Sequence, residues 1–248
     1  QLKYQFLTEA TGYGVIYVLK EYLREIDISI ESTTASIQGF GNVAEYAARM
    51  YTQLGGKIIA VSCWIQAESK AFTFKKERGC DIEELASIKD SFGSINKEKA
   101  LELGYELLPG DDWIKQDVDI LIPAALENQL TPAVFPRISS KVKIICEAAN
   151  GPTTPDCDTL IQKSGITLLP DFLCNAGGVT CSYFEQVQGN MNYFWDKAEV
   201  LEKLERIITN AFRAVYKLSA EKQLYMRDAA YVIAVNRVAN ATKLRGWA

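Results

Sequence analysis

Gly39-Phe40-Gly41-Asn42-Val43-Ala44 has the spacing G-x-G-x-x-G/A, with alanine in the third place. Gly39 permits a tight turn, and Gly41 lets a pyrophosphate come close to the backbone. The helix that follows would offer free N–H groups and its positive dipole end to that anion. The stretch ends a short strand and opens a helix, the context that separates dinucleotide binding from a merely structural glycine turn. A second stretch runs from Asp171 to Ser182 (DFLCNAGGVTCS). Gly177 and Gly178 allow backbone to approach a flat ring, and Asn175 both donates and accepts, as a carboxamide partner must. The same residues read equally well as a capped helix start with a small-residue packing contact, and Asp171 reads as a cap. Asn150, in Ala149-Asn150-Gly151-Pro152, follows a strand, where polar side chains face a ligand crevice; a turn-forming Asn-Gly is the alternative. Ala124 and Ala125 leave room for an adenosine, or belong to the core.

The second strand of such a fold ordinarily ends in an acid for the ribose 2′-OH. Here it ends Ser62-Cys63-Trp64, with no acid and no arginine for a 2′-phosphate. Glu68 and Lys70 are the nearest charges along the chain, and the choice between NAD and NADP stays open.

Composition removes several chemistries. The 248 residues include no histidine, which excludes Ser-His-Asp and Cys-His nucleophile systems and any His-liganded metal. Thirty-one acidic against 27 basic residues lack the basic excess of a general nucleic-acid binder. Six cysteines, none in a C-x-x-C pair, read as reduced core residues of a cytoplasmic protein. No 18-residue apolar run suggests a membrane span. The chain opens on Gln1, which leaves open a piece of a longer protein.

The elements that would position these residues follow from periodicity. Helical spacing is expected from Gly12 to Leu23, Asn42 to Leu54, Asp81 to Lys89, Asn96 to Leu103 and Pro155 to Ser164. Strands are expected at Thr34–Gln38, Lys57–Val61, Val118–Ile122, Val142–Cys146 and Ile166–Leu169; Lys57–Val61 is apolar without alternation, as a parallel strand covered on both faces requires. Alternating strands and helices predict an α/β fold with a doubly wound, mostly parallel, Rossmann-like sheet. Two long helices close the chain. Their stripes (Val200 to Leu218, then Ala230, Ile233, Val238 and Ala241) read as core, with Trp195 and Trp247 as apolar anchors. A soft boundary near 190 separates the dinucleotide unit, 1–190, from a helical segment, 191–248.

Five motifs in order carry a resemblance: Glu9-Ala-Thr11-Gly-Tyr-Gly14, Gln38-Gly-Phe-Gly-Asn-Val43, Ile122-Pro-Ala-Ala-Leu-Glu-Asn128, Glu147-Ala-Ala-Asn-Gly-Pro152 and Asn175-Ala-Gly-Gly-Val-Thr-Cys-Ser182. Over nearly the whole chain, from Thr8 to Trp247, the sequence resembles the carboxyl-terminal nucleotide-binding domain of the glutamate/leucine/phenylalanine/valine dehydrogenase family. The resemblance implies that Thr11 and Asn42 lie by the nicotinamide and that Asn150 and Asn175 line the same cleft. Gly39 to Val43 and Ala124 would complete the cofactor site. It places Val179 and Ser182 on the substrate side, where a hydroxyl suits the side-chain carboxylate of glutamate. The family's catalytic lysine and aspartate belong to an amino-terminal domain that these residues do not include. The implied reaction is oxidative deamination of L-glutamate to 2-oxoglutarate and ammonia, with NAD or NADP, in a homo-hexamer. A dehydrogenase of branched or aromatic amino acids and a non-catalytic nucleotide-sensing module remain alternatives on the same fold. Departures from the family include Leu7 for its usual arginine, Cys63 for aspartate, Gln186 for an aromatic and Gly189 for asparagine.

Overall fold

A computed structural model describes residues 5–90 and 92–247, with side chains from Glu9 onward, so the Leu7 side chain lies outside the described residues. Seven strands are ordered β4-β3-β2-β1-β5-β6-β7, with β1 Thr34–Gln38, β2 Lys57–Ile65, β3 Lys70–Lys75, β4 Glu106–Pro109, β5 Ile120–Pro123, β6 Ile144–Cys146 and β7 Thr167–Leu169. β1 lies parallel to both β2 and β5, and β5, β6 and β7 continue in parallel. The chain leaves β1 toward β2 and later returns on the other side of β1 to β5. The β1/β5 boundary is therefore the topological switch point, where such sheets hold ligands. β5 and β6 are apolar throughout because both faces are covered: all four β5 residues and all three of β6 are buried.

β3 and β4 were not expected. Both run antiparallel to their neighbours and extend the sheet beyond β2. Lysines at both ends of β3 and the short, proline-ended β4 hide the apolar signal of Phe72 and Phe74. β2 is also longer than expected, because its last residues, Cys63 to Ile65, pair with β3 rather than β1.

Nine helices appear among the described residues: α1 Gln5–Glu25, α2 Asn42–Gln53, α3 Ile82–Ser87, α4 Lys97–Glu102, α5 Pro155–Ser164, α6 Asp171–Cys174, α7 Gly177–Met191, α8 Lys197–Lys222 and α9 Met226–Leu244. Their starts follow local chemistry. Asp81, Asn96, Thr154 and Asp196 each accept a backbone N–H of the first turn, and Pro155 opens α5. α1 begins well before the expected Gly12. Gly12 and Gly14 do not interrupt it because they serve packing: a Cβ on Gly12 would lie 2.7 Å from Ala47 N on α2.

Side chains alternate between two cores. Ile120, Ile122, Ile144 and Cys146 join α1, α2 and α8 on one face, while Leu121, Ile145 and Leu168 join Trp113, Cys157 and Ile161 on the other. α8 buries Val200, Leu204, Ile208 and Val215 of its expected stripe, together with Phe212, whereas Ile207 of that stripe is exposed and Ala211 and Leu218 are half-buried. α9 departs from expectation. It buries only Met226, Ala229 and Ala230, while Val238 is 67% exposed. A helix of 19 residues is about 28 Å long, whereas the three-residue strand β7 beside it covers about 10 Å. Trp195 packs edge-on against Phe184, but Trp247 is exposed.

Candidate dinucleotide cleft

The floor of the cleft is a row of backbone hydrogen bonds across the carboxyl ends of the parallel strands. Gly39 N donates to Ser62 O, Ala124 N to Gln38 O, Ala148 N and Ala149 N to Pro123 O, and Glu147 N to Leu169 O. The ends of β2, β1, β5, β6 and β7 are thereby laced into one edge, and the motifs beginning at Gln38, Ile122 and Glu147 leave from it.

The two loop glycines have different physical roles. Gly39 has φ +93°, which side chains rarely adopt, and a Cβ there would sit 3.1 Å from Ala124 O. Gly41 has an ordinary φ of −79°, and a Cβ there would meet nothing within 4 Å. Gly41 precedes α2 as its N-cap and has no side chain, so no side-chain hydrogen bond caps the first turn of this 12-residue helix. Asn42 is exposed beside it, and Val43 is half-buried. Phe40 is buried, with Lys89 Nζ 5.2 Å from its ring centroid, so only its backbone faces the cleft. Ala124 is half-buried against the core and Ala125 is exposed.

α1 brings Thr11 to this edge. Gly177 packs so tightly on α1 that a Cβ would fall 2.0 Å from Ala10 O, and one on Gly178 would lie 2.5 Å from Thr11 Oγ1. Gly177 is thus a packing residue rather than a platform for a ring. Thr11 lies between the first turns of α2 and α7, touching Gly178 while its neighbour Gly12 abuts Val43 O.

Asn175 Nδ2 donates to Asn150 Oδ1 at 2.7 Å, so the fold brings these two asparagines together. The capping alternative for Asp171 does not hold, since it is the first residue of α6 and follows the N-cap Pro170. Its Oδ2 accepts from Gly151 N at 2.8 Å, tying the two asparagine loops to each other. Behind them stands a network that sequence reasoning missed. Arg227, in the first turn of α9, donates Nη2 to both oxygens of Glu147 at 2.9 Å, Nε to Asp158 at 2.7 Å and Nη1 to Asp171 at 3.1 Å. Tyr225 donates to Asp158, and Glu147 accepts from Asp171 N. Burial pushes the Glu147 carboxyl up, with Arg227 pulling against it. Burial also opposes the Arg227 charge, but Glu147 and Asp158 outweigh it and raise the guanidinium above its ordinary value. One signal was available in the sequence: a cation in the first turn of a helix opposes the dipole and calls for acidic partners.

Val179 and Ser182 are exposed on α7, three residues apart and hence on one helix face, while Cys181 between them is buried. Near the carboxyl end of β2, Cys63 is buried. The charges that influence its thiol are Lys89 and Asp90, with burial the main effect raising its pKa. Glu68 and Lys70, the nearest charges along the chain, are otherwise engaged: Glu68 pairs with Lys97, and Lys70 lies over the Phe72 ring. Lys89 is held by Glu45 at 2.6 Å. All six cysteines are free and buried.

A doubly wound sheet with a glycine turn and an uncapped helix at its switch point defines a Rossmann-like domain. Residues 5–246 match the Glutamate/Leucine/Phenylalanine/Valine dehydrogenase family, and the chain belongs to that family. The NAD-specific glutamate dehydrogenase of Clostridioides difficile is 39% identical over 241 residues, covering 97% of this chain and 55% of that protein. The crystal structure of glutamate dehydrogenase from Peptoniphilus asaccharolyticus is similar with a TM-score of 0.81 at 35% identity, over 98% of this chain and 54% of that one. The hetero-hexameric glutamate dehydrogenase from Thermus thermophilus gives 0.84 at 25% identity, over 96% and 53%. The chain spans about half the length of the curated relatives it matches. No helix among the described residues is long and apolar enough to cross a membrane.

Proposed function

We propose that this chain is the NAD(P)-binding domain of a glutamate dehydrogenase that oxidatively deaminates L-glutamate to 2-oxoglutarate and ammonia. The observation that carries the reading is the open space over Gly41, at the uncapped start of α2 on the switch point. The residues present fit a dinucleotide there. Backbone N–H groups of Gly41 to Val43 would hold the diphosphate, with Ala124 beside it. Thr11, Asn42, Asn150 and Asn175 would orient the carboxamide end. When bound, the nicotinamide accepts the hydride that leaves the α-carbon of the amino acid. The Ser182 hydroxyl would donate to the side-chain carboxylate of glutamate, and Val179 would line the same pocket. Proton transfer and capture of the α-carboxylate are assigned to the other half of the longer protein.

Residues 1–190 form the proposed nucleotide unit and 191–248 a helical segment. Six buried free thiols fit a reducing, cytoplasmic setting. A homo-hexamer is proposed for the longer protein; the hetero-hexameric Thermus relative supports six subunits but not their identity. The cofactor is NAD or NADP; relatives named NAD-specific favour NAD. Calorimetric titration of the chain with NAD and with NADP tests the reading: saturable binding of at least one is expected, tighter for NAD. Heat of neither would remove it.

A further inference from the structure

Arg227 sits on α9, outside every motif of the cleft, yet it gathers three carboxylates from three other segments. Glu147 lies three residues before Asn150, and Asp171 lies four residues before Asn175. Arg227 bonds both carboxylates, and Asp171 in turn accepts from Gly151 N and passes its own N–H to Glu147. The Glu147 side chain is fully buried and that of Arg227 is 16% exposed. Removing the guanidinium would leave Glu147, Asp158 and Asp171 facing one another without a cation, and each would repel the others in a poorly screened site. The two loops would move apart, and the Asn175–Asn150 hydrogen bond, 2.7 Å long, would be lost with them.

We infer that Arg227 is a positioning residue: through Glu147 and Asp171 it sets the spacing of the asparagine pair that receives the nicotinamide end of the cofactor. The inference rests on the proposed function, since it assigns a role within the same cleft. It separates two parts of one ligand. The diphosphate and adenosine subsites stand on β1, β2 and α2, which Arg227 does not touch, whereas the nicotinamide subsite stands on loops that it holds.

The test uses the 248-residue chain with NADH and ADP-ribose as probes. Wild type is expected to bind both and to shift the emission of NADH as the ring is immobilised. Arg227→Lys keeps a charge but loses the planar fork, and Arg227→Met loses both. Both variants should lose the emission shift and weaken NADH about tenfold or more, the scale at which misplaced positioning groups are felt. ADP-ribose affinity should stay within about twofold, because the variants leave that subsite unchanged. Asn150→Ala should reproduce the loss, and adding Arg227→Lys to it should cost little more, because both act on one contact. Should Arg227→Met fail to fold, Arg227→Lys and Asp171→Asn carry the same comparison. Unchanged NADH affinity and emission in the Arg227 variants overturn the inference. Equal loss of NADH and ADP-ribose overturns it as well, as does a wild type that binds NADH with no change in emission. A wild type that binds neither probe removes the proposed function itself, which is a distinguishable result.

Discussion

Glycine appears at Gly41 and at Gly177 for opposite reasons, and the difference is measurable. At Gly41 the backbone conformation is ordinary and the added methyl meets open space, so Gly41→Ala should leave Tm nearly unchanged. The same methyl would occupy the space proposed for the diphosphate, so NAD affinity should fall by tenfold or more, on the order of 1.4 kcal/mol. At Gly177 the methyl would collide with the Ala10 carbonyl on another helix, where no flexible side chain can give way. Gly177→Ala should therefore destabilise the fold by about 1–3 kcal/mol or more. Thermal melts with and without NAD separate the two. A stable Gly41→Ala chain with wild-type affinity would show that the open space is not the diphosphate site.

Elements are joined near the glycine turn by one ion-pair group. Glu45 on α2 takes Arg49 from its own helix and Lys89 from the segment after α3, and Lys89 also lies over the Phe40 ring. Burial pushes the Glu45 carboxyl up, but Lys89 and Arg49 pull it further down, leaving it below the usual carboxylate range. The folded chain therefore binds this proton less readily than the unfolded chain. The stability it contributes is present above the unfolded carboxylate pKa and is lost as pH falls through the lowered folded value. Glu45→Gln should be less stable than wild type at neutral pH. It should also lose less on acidification, so that the two Tm profiles converge below about pH 4. Profiles that run parallel through that range would show that Glu45 adds nothing through its charge.

At the scale of the whole molecule, the proposed division of labour predicts binding without turnover. The chain spans about half of its curated relatives, and the roles proposed for its own residues are binding and orientation. Positioning gives rate only when the reacting atoms and the proton-transfer groups are held together. The 248-residue chain is expected to bind NAD yet give no glutamate-dependent NADH absorbance above background. Appreciable reduction by the purified chain would show that it carries proton-transfer groups of its own.

The glycine turn, the buried parallel strands and the starts of α2, α3, α4 and α5 were legible in the chain itself, because each depends on neighbours a few residues apart. Gly39-Phe40-Gly41 after a short strand, helices opening at Asp81 and Asn96, and the helix opening at Pro155 are local statements of backbone geometry and hydrogen bonding. The strands β3 and β4 were not legible, since pairing partners rather than their own pattern make them strands. Gly177, Asp171 and Arg227 were decided only by tertiary contact. Gly177 needed α1 against it before its lack of a side chain meant packing. Asp171 needed the Gly151 N–H, and Arg227 needed carboxylates that lie 80, 69 and 56 residues away along the chain. A charge becomes costly or useful only once burial removes its water, and burial is a property of the folded whole.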